Sequence, residues 1–519
     1  MSLILFLVTL FAPASLLVFS SLNMMTSGVR PWTTRLVPLT VSTLLLSAGL
    51  VAVLFVLQLA GLLPVAQTTH IAGWVRLDAI SVSLFVLICF LASIILSFSR
   101  SYLDGEDRQG YFFGWISLAV IAVLGLVVTD SLVLFAVFWV VSSLCLSRLL
   151  LFYRTRRVAI RAAKKEFLFS RLSDLFLIAS LVVLWSLSGS LSIAEIGEKI
   201  GQADNQAGLF TAAGLLALAA ILKSAQFPSH AWVTEVMEAP TPVSALLHAG
   251  IINAGGFALI RFADVMVTSP AVLAFLVLVG GFTALIASLV MLTQSAVKTS
   301  LGWSTIAQMG FMILQCGLTL FSLAFLHILL HSLYKAHAFL SSGGAVKTVA
   351  LVKKPGPIAI PSVATVSISF AIGISLYVAL NLFIGLDGKS AQALALGTIL
   401  VLGVSYLLAQ GLAGGAPRKL MVLTALYAVL ASFAYIVFHK LAETVTEGLL
   451  PAVMSPGPLE WGLLFLTLTS FAITAFAQST FPMWAHHPAV RGVRIHLING
   501  LYINAILDRV LGSRRPSTN

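Results

Sequence analysis

The sequence predicts an all-α polytopic membrane protein of about 15 transmembrane helices. Three observations predict it. Of 519 residues, 59% are hydrophobic and 9% charged. Apolar runs long enough to cross a bilayer, which takes roughly 20 residues each, follow one another with little sequence left for a soluble domain. The basic residues gather on alternate connections: Arg30 and Arg35; Arg100 and Arg108; Arg154, Arg156, Arg157, Arg161, Lys164 and Lys165; Lys298; Lys347, Lys353 and Lys354; Arg418 and Lys419. The opposite connections carry Glu195, Glu198, Asp204, Glu443 and Glu447. By the positive-inside rule the basic connections are cytoplasmic, which puts the N-terminus outside and the C-terminus inside and takes an odd number of helices. The net charge of +12 then follows from topology and does not point to nucleic acid.

The N-terminal run MSLILFLVTLFAPASLL has no basic segment before it, so it reads as a retained helix and not a cleaved signal peptide. The first two helices, about Leu3 to Leu22 and Leu36 to Ala60, hold no charge in their apolar runs and read as scaffold. The third, Leu77 to Phe98, is entered through Arg76 and Asp78, an interfacial anchor. The fourth and fifth, Phe112 to Val128 and Leu132 to Phe152, are separated by a tight turn at Asp130. Cys89, Cys145 and Cys316 each lie alone in a span, and no Cys-x-x-Cys, Cys/His cluster or glycine-rich phosphate loop accompanies them. They read as small core residues, and redox or ATP chemistry within this chain is not expected.

The sixth helix, from Phe167, places Arg171 and Asp174 three residues apart, where they can pair. Either an interfacial ion pair or part of a polar path fits that spacing. The seventh runs from Leu209 to Met237, carries Lys223 and breaks at Pro228. An intramembrane lysine is disfavoured by about 2.5 to 3.5 kcal/mol and marks a functional site by default; proline removes a backbone donor and opens a polar break. Glu238, just before the Pro-Thr-Pro turn, belongs in a vestibule or at headgroup level. His248 follows in the eighth helix. In the eleventh, His327, His331 and Lys335 stand at i, i+4 and i+8, one stripe on one face. Such a stripe, with Lys223 and His248 opposite, reads as a polar axis able to pass protons through intervening water. Zinc binding by His327 and His331 is a minor alternative, because no thiolate or carboxylate is near in sequence.

The twelfth to fifteenth helices, from Pro361 to Gln478, are nearly devoid of ionisable residues inside their apolar runs; Asp387 and Lys389 fall in a loop. The tail from Trp484 is amphipathic and is expected to lie along the cytoplasmic face against membrane or partner, with His486 and His487 at headgroup level.

Three blocks, AAKKEFLFSRLSDLFL, KSAQFPSHAWVTEVMEAPTPVSALLHA and HILLHSLYKAHAFLSSGGAV, resemble the antiporter-like subunits shared by respiratory complex I (subunit L, or ND5) and Mrp cation/proton antiporters, over roughly residues 77–347. The resemblance implies inverted five-helix repeats, each with a broken helix and a midplane chain of ionisable residues. The implied organisation is 1–110, N-terminal helices; 111–265 and 266–415, first and second antiporter-like repeats; 416–480, C-terminal helices; and 481–519, cytoplasmic tail. It also implies a proton or cation pathway through Lys223, His248, His327, His331, Lys335, Asp174 and Arg171, with Pro228 at the helix break. There are two departures. Where relatives have Gly-Trp-Glu, whose glutamate pairs with the broken-helix lysine, this chain has Phe138-Trp139-Val140. The twelfth helix lacks the family's lysine, and no long lateral helix follows the fifteenth.

The shorter length and the ending NGLYINAILDR, residues 499–509, are most similar to the DabB family, membrane subunits of inorganic-carbon accumulation complexes. That resemblance implies a bacterial inner-membrane subunit that moves H+ (or Na+) and has no catalytic chemistry or cofactor of its own. It implies a DabA-like large partner, similar to β-carbonic anhydrases and carrying zinc, whose conversion of CO2 to bicarbonate the ion-motive force makes one-way. Two alternatives stay open: a proton-pumping subunit of an NADH or ferredoxin:quinone oxidoreductase or an Mrp-type antiporter, against which Val140 counts, and a membrane anchor that no longer conducts.

Overall fold

The protein is described here by a computed structural model, over residues 2–25, 31–60, 69–71, 74–201, 204–351, 360–384, 389–414, 417–485 and 487–511. Arg30, Lys353, Lys354, Asp387 and His486 lie outside the described residues. The chain opens with α1 (Ser2–Met25) and α2 (Pro31–Leu59), followed by a three-residue antiparallel ribbon pairing Thr69–Ile71 with Val75–Leu77. Then come α3 (Ala79–Tyr102), α4 (Gln109–Val128), α5 (Leu132–Leu150) and α6 (Arg157–Ser188). A short α7 (Ile193–Ile200) leads to α8 (Gln206–Lys223), α9 (Ala231–Glu235), α10 (Thr241–Ala249), α11 (Ala254–Arg261) and α12 (Ala263–Met266). The second half holds α13 (Pro270–Met291), α14 (Val297–Gly317), α15 (Phe321–Leu351), α16 (Val363–Ile384), α17 (Ala391–Gly411), α18 (Arg418–Thr446) and α19 (Pro458–Ser479). The tail forms α20 (Phe481–Trp484), α21 (Arg491–Ile498) and α22 (Ile503–Val510).

Among the described residues, 14 helical segments are long and apolar enough to cross a membrane, α10 and α11 together forming one of them, Thr241–Arg261. The more polar α14 packs along α13 and matches the tenth predicted helix. Burial separates centre from rim. The α10–α11 segment is 94% buried within the bundle, whereas α19 is 17% and α18 22% buried, so the latter turn apolar side chains such as Leu426, Phe433 and Phe465 outward toward lipid.

Close helix approach brings α14 to the centre. Gly280 of α13 and Gly310 of α14 face each other where a Cβ on Gly310 would stand 2.6 Å from Ala284 N and 2.7 Å from Gly280 O. No larger residue fits there without parting the helices, and the backbones meet as small residues allow in membrane bundles.

Four sequence expectations are corrected. The sixth helix begins at Arg157, ten residues before Phe167, so much of the basic cluster is helical; Lys165 and Glu166 are buried in the bundle instead of lying in a loop. The seventh is broken from Ser224, not first at Pro228: Ala225 takes a left-handed conformation (φ 49°) and the Gln226 N–H returns to Ile221 O at 3.1 Å, closing α8 at Lys223. The eighth is broken as well, at Gly250, where α10 ends and a 3-10 turn, Ile251–Asn253, precedes α11. Finally, the last helices are not devoid of ionisable residues: α18 continues through His439, Lys440 and Glu443, with His439 buried.

Arg76 and Asp78 form more than a surface anchor. Asp78 caps α3 by accepting from Ser81 N and Oγ, both at 2.8 Å, and pairs with Arg76 at 2.8 Å and with buried Arg261 of α11 at 2.7 Å. Burial alone would raise its pKa, but the Arg261 and Arg76 charges outweigh that and hold it at about 2. This pair fixes the end of α11 to the start of α3.

Candidate functional site

The break after α8 leaves Lys223 as the last helical residue, buried and aimed at α5. Its ammonium donates to Trp139 O at 3.3 Å, to Ser142 Oγ at 3.3 Å and to Ser143 Oγ, and sits 4.8 Å from the Trp139 ring centroid. Hydroxyls, a carbonyl and an indole face thus surround the cation where relatives were expected to place a carboxylate. The neighbouring carboxylates come instead from α6: Asp174 and Glu166, with Arg171 beside Asp174. Arg171 pairs with Asp174 at 2.8 Å, as the spacing predicted. Glu166 is fully buried, accepts from Ser147 Oγ and from Ser170 Oγ at 2.6 Å, and among the described residues forms no ion pair. Sequence reading missed it because it adjoins a basic run that resembles a loop.

The two breaks touch. Ser224 Oγ donates to Ile252 O at 2.9 Å, and Asn253, beside the second break, donates from Nδ2 to Ala249 O at 3.1 Å and to Ser332 Oγ of α15 at 2.9 Å. A cavity of about 30 Å³, lined mostly by apolar side chains, lies against Gly250, Asn253 and Ser332. Interrupted helices therefore lead polar backbone from Lys223 to the face of α15.

On α15 the stripe is in place, and α14 supplies its partners. His327 Nδ1 meets Gln315 Oε1 at 2.9 Å, His331 Nδ1 meets Gln308 Oε1 at 2.5 Å, and Lys335 donates to Ser304 Oγ at 2.7 Å and Leu301 O at 3.4 Å. The two imidazoles are 5.8 Å apart between centroids. His331 Nε2 lies 3.1 Å from His248 O, a carbonyl, so it must donate. In the neutral ring Nδ1 is then an acceptor, and in the charged ring a donor. A glutamine amide can meet either state by turning its oxygen or its nitrogen toward the ring, so Gln308 can follow a proton on and off His331. These engagements also oppose the minor zinc reading, since His331 has both nitrogens occupied.

His248 joins the axis through its backbone. Its ring stacks on Phe339 at 4.3 Å and neither ring nitrogen has a hydrogen-bond partner among the described residues. A cavity of about 400 Å³ opens beside His327 and His331, reaching Gln308, Gln315 and Tyr435. Toward the other side, buried Lys165 pairs with Glu235 of α9 at 2.7 Å and with Asp508 of the tail at 2.8 Å. The expected exposed site for Glu238 is correct: it pairs with Arg156 at 3.3 Å with both side chains about half exposed.

The family described as NADH:quinone oxidoreductase/Mrp antiporter, TM, matches residues 129–355, the part that holds Lys223, both helix breaks and the α15 stripe. The chain is 37% identical over 456 residues to "Probable inorganic carbon transporter subunit DabB2" of Halothiobacillus neapolitanus, covering 87% of this chain and 82% of that one. It is 41% identical over 277 residues to "Probable inorganic carbon transporter subunit DabB" of Hydrogenovibrio crunogenus, about half of either chain (53% and 54%). The Mrp complex from Dietzia sp. has the same fold, with a TM-score of 0.57 at 23% identity over 99% of this chain and 57% of that chain. The chain therefore belongs to the DabB family of inorganic carbon transporter subunits, antiporter-like membrane proteins related to complex I chain 5 and the Mrp antiporters.

Proposed function

We propose that the chain carries H+ along the line from Lys223 to His327. The ion-motive force discharged there drives CO2-to-bicarbonate conversion on a zinc-bearing, carbonic-anhydrase-like partner of the DabA kind. The observation that carries this reading is the buried polar line itself. Contacts run from Ser143 and Lys223, through the adjoining Ser224 and the two helix breaks, to Asn253 and Ser332 of α15, and on that helix the rings of His331 and His327 stand 5.8 Å apart. Isolated buried cations are strongly disfavoured, and this one is joined to groups that can take up and release protons. In this reading the chain has no catalytic chemistry or cofactor of its own and sits in a bacterial inner membrane with its N-terminus outside. It supplies the ion path and a cytoplasmic docking face, and zinc chemistry belongs to the partner. Residues 111–265 and 266–415 act as its two antiporter-like repeats.

Lys223→Ala tests the reading. Bicarbonate accumulation is measured in cells making both subunits, with co-purification of the partner as the assembly check. Loss of accumulation in an assembled complex is the expected result, and full accumulation refutes ion passage at Lys223. The match to the quinone oxidoreductase/Mrp family supports a second reading, a pumping subunit of such a complex. Purification from native membranes separates the two: a large zinc-containing chain supports the first, and quinone-oxidoreductase or Mrp subunits without zinc support the second.

A further inference from the structure

The stripe on α15 ends at a cavity that the helices up to α15 do not close, and its far wall is α18. Tyr435 lines the cavity of about 400 Å³ together with His327 and His331. One turn on, the His439 ring lies 5.8 Å from the Tyr435 ring, and its Nε2 lies 3.3 Å from Glu443 Oε1. Tyr435, His439 and Glu443 thus stand at i, i+4 and i+8, the same spacing as His327, His331 and Lys335 on the helix that packs against α18. The two helices are also tied at their ends, where Ser322 and Thr446 hydroxyls lie 2.7 Å apart.

His439 is buried, yet it lines a second, larger cavity of about 690 Å³ with Lys389, Glu443 and Glu447. That cavity opens outward: Lys440 at its mouth is 78% exposed and Glu443 37% exposed. Lys389, half-buried, donates to Asn381 of α16, which in turn donates to Tyr377 O at 2.7 Å. A buried histidine that lines one cavity, beside a tyrosine that lines another and with a carboxylate on its other side, has the composition of a proton relay. Nothing in lipid-facing packing calls for it. The geometry points to a second mouth of the ion path in the C-terminal helices: protons pass between His327 and the Glu443 vestibule through Tyr435 and His439, with Lys389 and Glu443 setting the charge at the opening. His439 takes a proton on one ring nitrogen and releases one from the other, so no bond other than N–H and O–H changes. This inference rests on the proposed proton path through Lys223 and names where that path leaves the protein.

The test uses the intact two-subunit complex in cells. His439→Gln keeps hydrogen bonding but cannot take up a proton, and is expected to lower bicarbonate accumulation by about tenfold or more, with the partner still co-purifying. Accumulation within about twofold of the parental chain overturns the route when Lys223→Ala is inactive, whereas an active Lys223→Ala overturns the underlying reading. Thr444→Cys, at an exposed residue that lines the same cavity, gives a check independent of folding around His439. An impermeant thiol reagent added outside is expected to attach there and stop accumulation. The parental chain, whose Cys89, Cys145 and Cys316 are buried, is expected to be unaffected. No attachment, or attachment without inhibition, overturns the route.

Discussion

Lys223 shows how a buried cation is kept in place when the expected carboxylate is missing. Trp139 O and the Ser142 and Ser143 hydroxyls satisfy its three donors, while Asp174 and Glu166 of α6 are the neighbouring carboxylates. The two carboxylates differ in what they can offer. Asp174 already faces Arg171 at 2.8 Å, so much of its field is offset, whereas Glu166 is held by serine hydroxyls alone. Electrostatic attraction in a low-dielectric interior is stronger at a given distance than in water, so an ionised Glu166 can support the charged lysine without touching it. Glu166→Gln keeps both serine contacts and removes the charge. It is expected to lower bicarbonate accumulation by about tenfold or more in a complex that still assembles; unchanged accumulation would mean that Asp174 alone serves Lys223. Position 140 could not have shown this, because the substitute carboxylate comes from another helix, 26 positions further on by the numbering of Val140 and Glu166.

At the level of elements, α14 packs closely on α13 and presents Ser304, Gln308 and Gln315 to α15. Gly310 is among the closest points, and its obstructing neighbours are backbone atoms, which cannot turn aside. Gly310→Ala is expected to destabilise the protein by about 1 to 3 kcal/mol, read as a lower unfolding temperature in detergent. Gly403→Ala, where a Cβ meets nothing within 4 Å, is expected to leave it unchanged. The end of α8 makes the opposite prediction. Ala225 holds a left-handed conformation at φ 49°, disfavoured for a residue with a Cβ by about 1 to 2 kcal/mol, so Ala225→Gly is expected to raise the unfolding temperature. These elements also show what was legible. Apolar runs, a lysine inside one of them and the i, i+4, i+8 stripe of α15 are local patterns, legible in the sequence. The break at Gly250 carries no proline to announce it, and the closure at Ala225 uses a residue that usually favours helix. His439 carries no local signal in the sequence, because its burial depends on other helices packing around α18.

Across the whole molecule, the tail is the part whose place sequence could describe only as a surface. Its amphipathic pattern announced contact with something, and that something includes its own chain. Asp508 of α22 pairs with Lys165 at 2.8 Å and Arg161 at 3.5 Å, and Asn504 Nδ2 donates to Thr234 Oγ1 at 2.9 Å. Farther back, Gln294 Nε2 donates to Ile498 O at 3.4 Å. The tail therefore bridges α6, the α9 segment and the α13–α14 connection, fastening both halves of the bundle on one side. Long-range pairing of this kind, 343 positions apart between Lys165 and Asp508 by their numbering, leaves no periodic trace. It does leave a testable asymmetry. Lys165 keeps Glu235 at 2.7 Å whatever the tail does, so loss of Asp508 does not strand a buried cation, and the bundle is expected to hold. Asp508→Lys turns both contacts repulsive. In the purified complex it is expected to leave the unfolding temperature within about 4 °C of the parental value while speeding trypsin cleavage at Arg491, Arg494 and Arg509 by about tenfold, the change that weakening of local closure by about 1.4 kcal/mol produces. Unchanged cleavage would show that Asn504, Ile498 and the apolar face of the tail hold it without the ion pairs, and that Lys165 is retained for Glu235 alone.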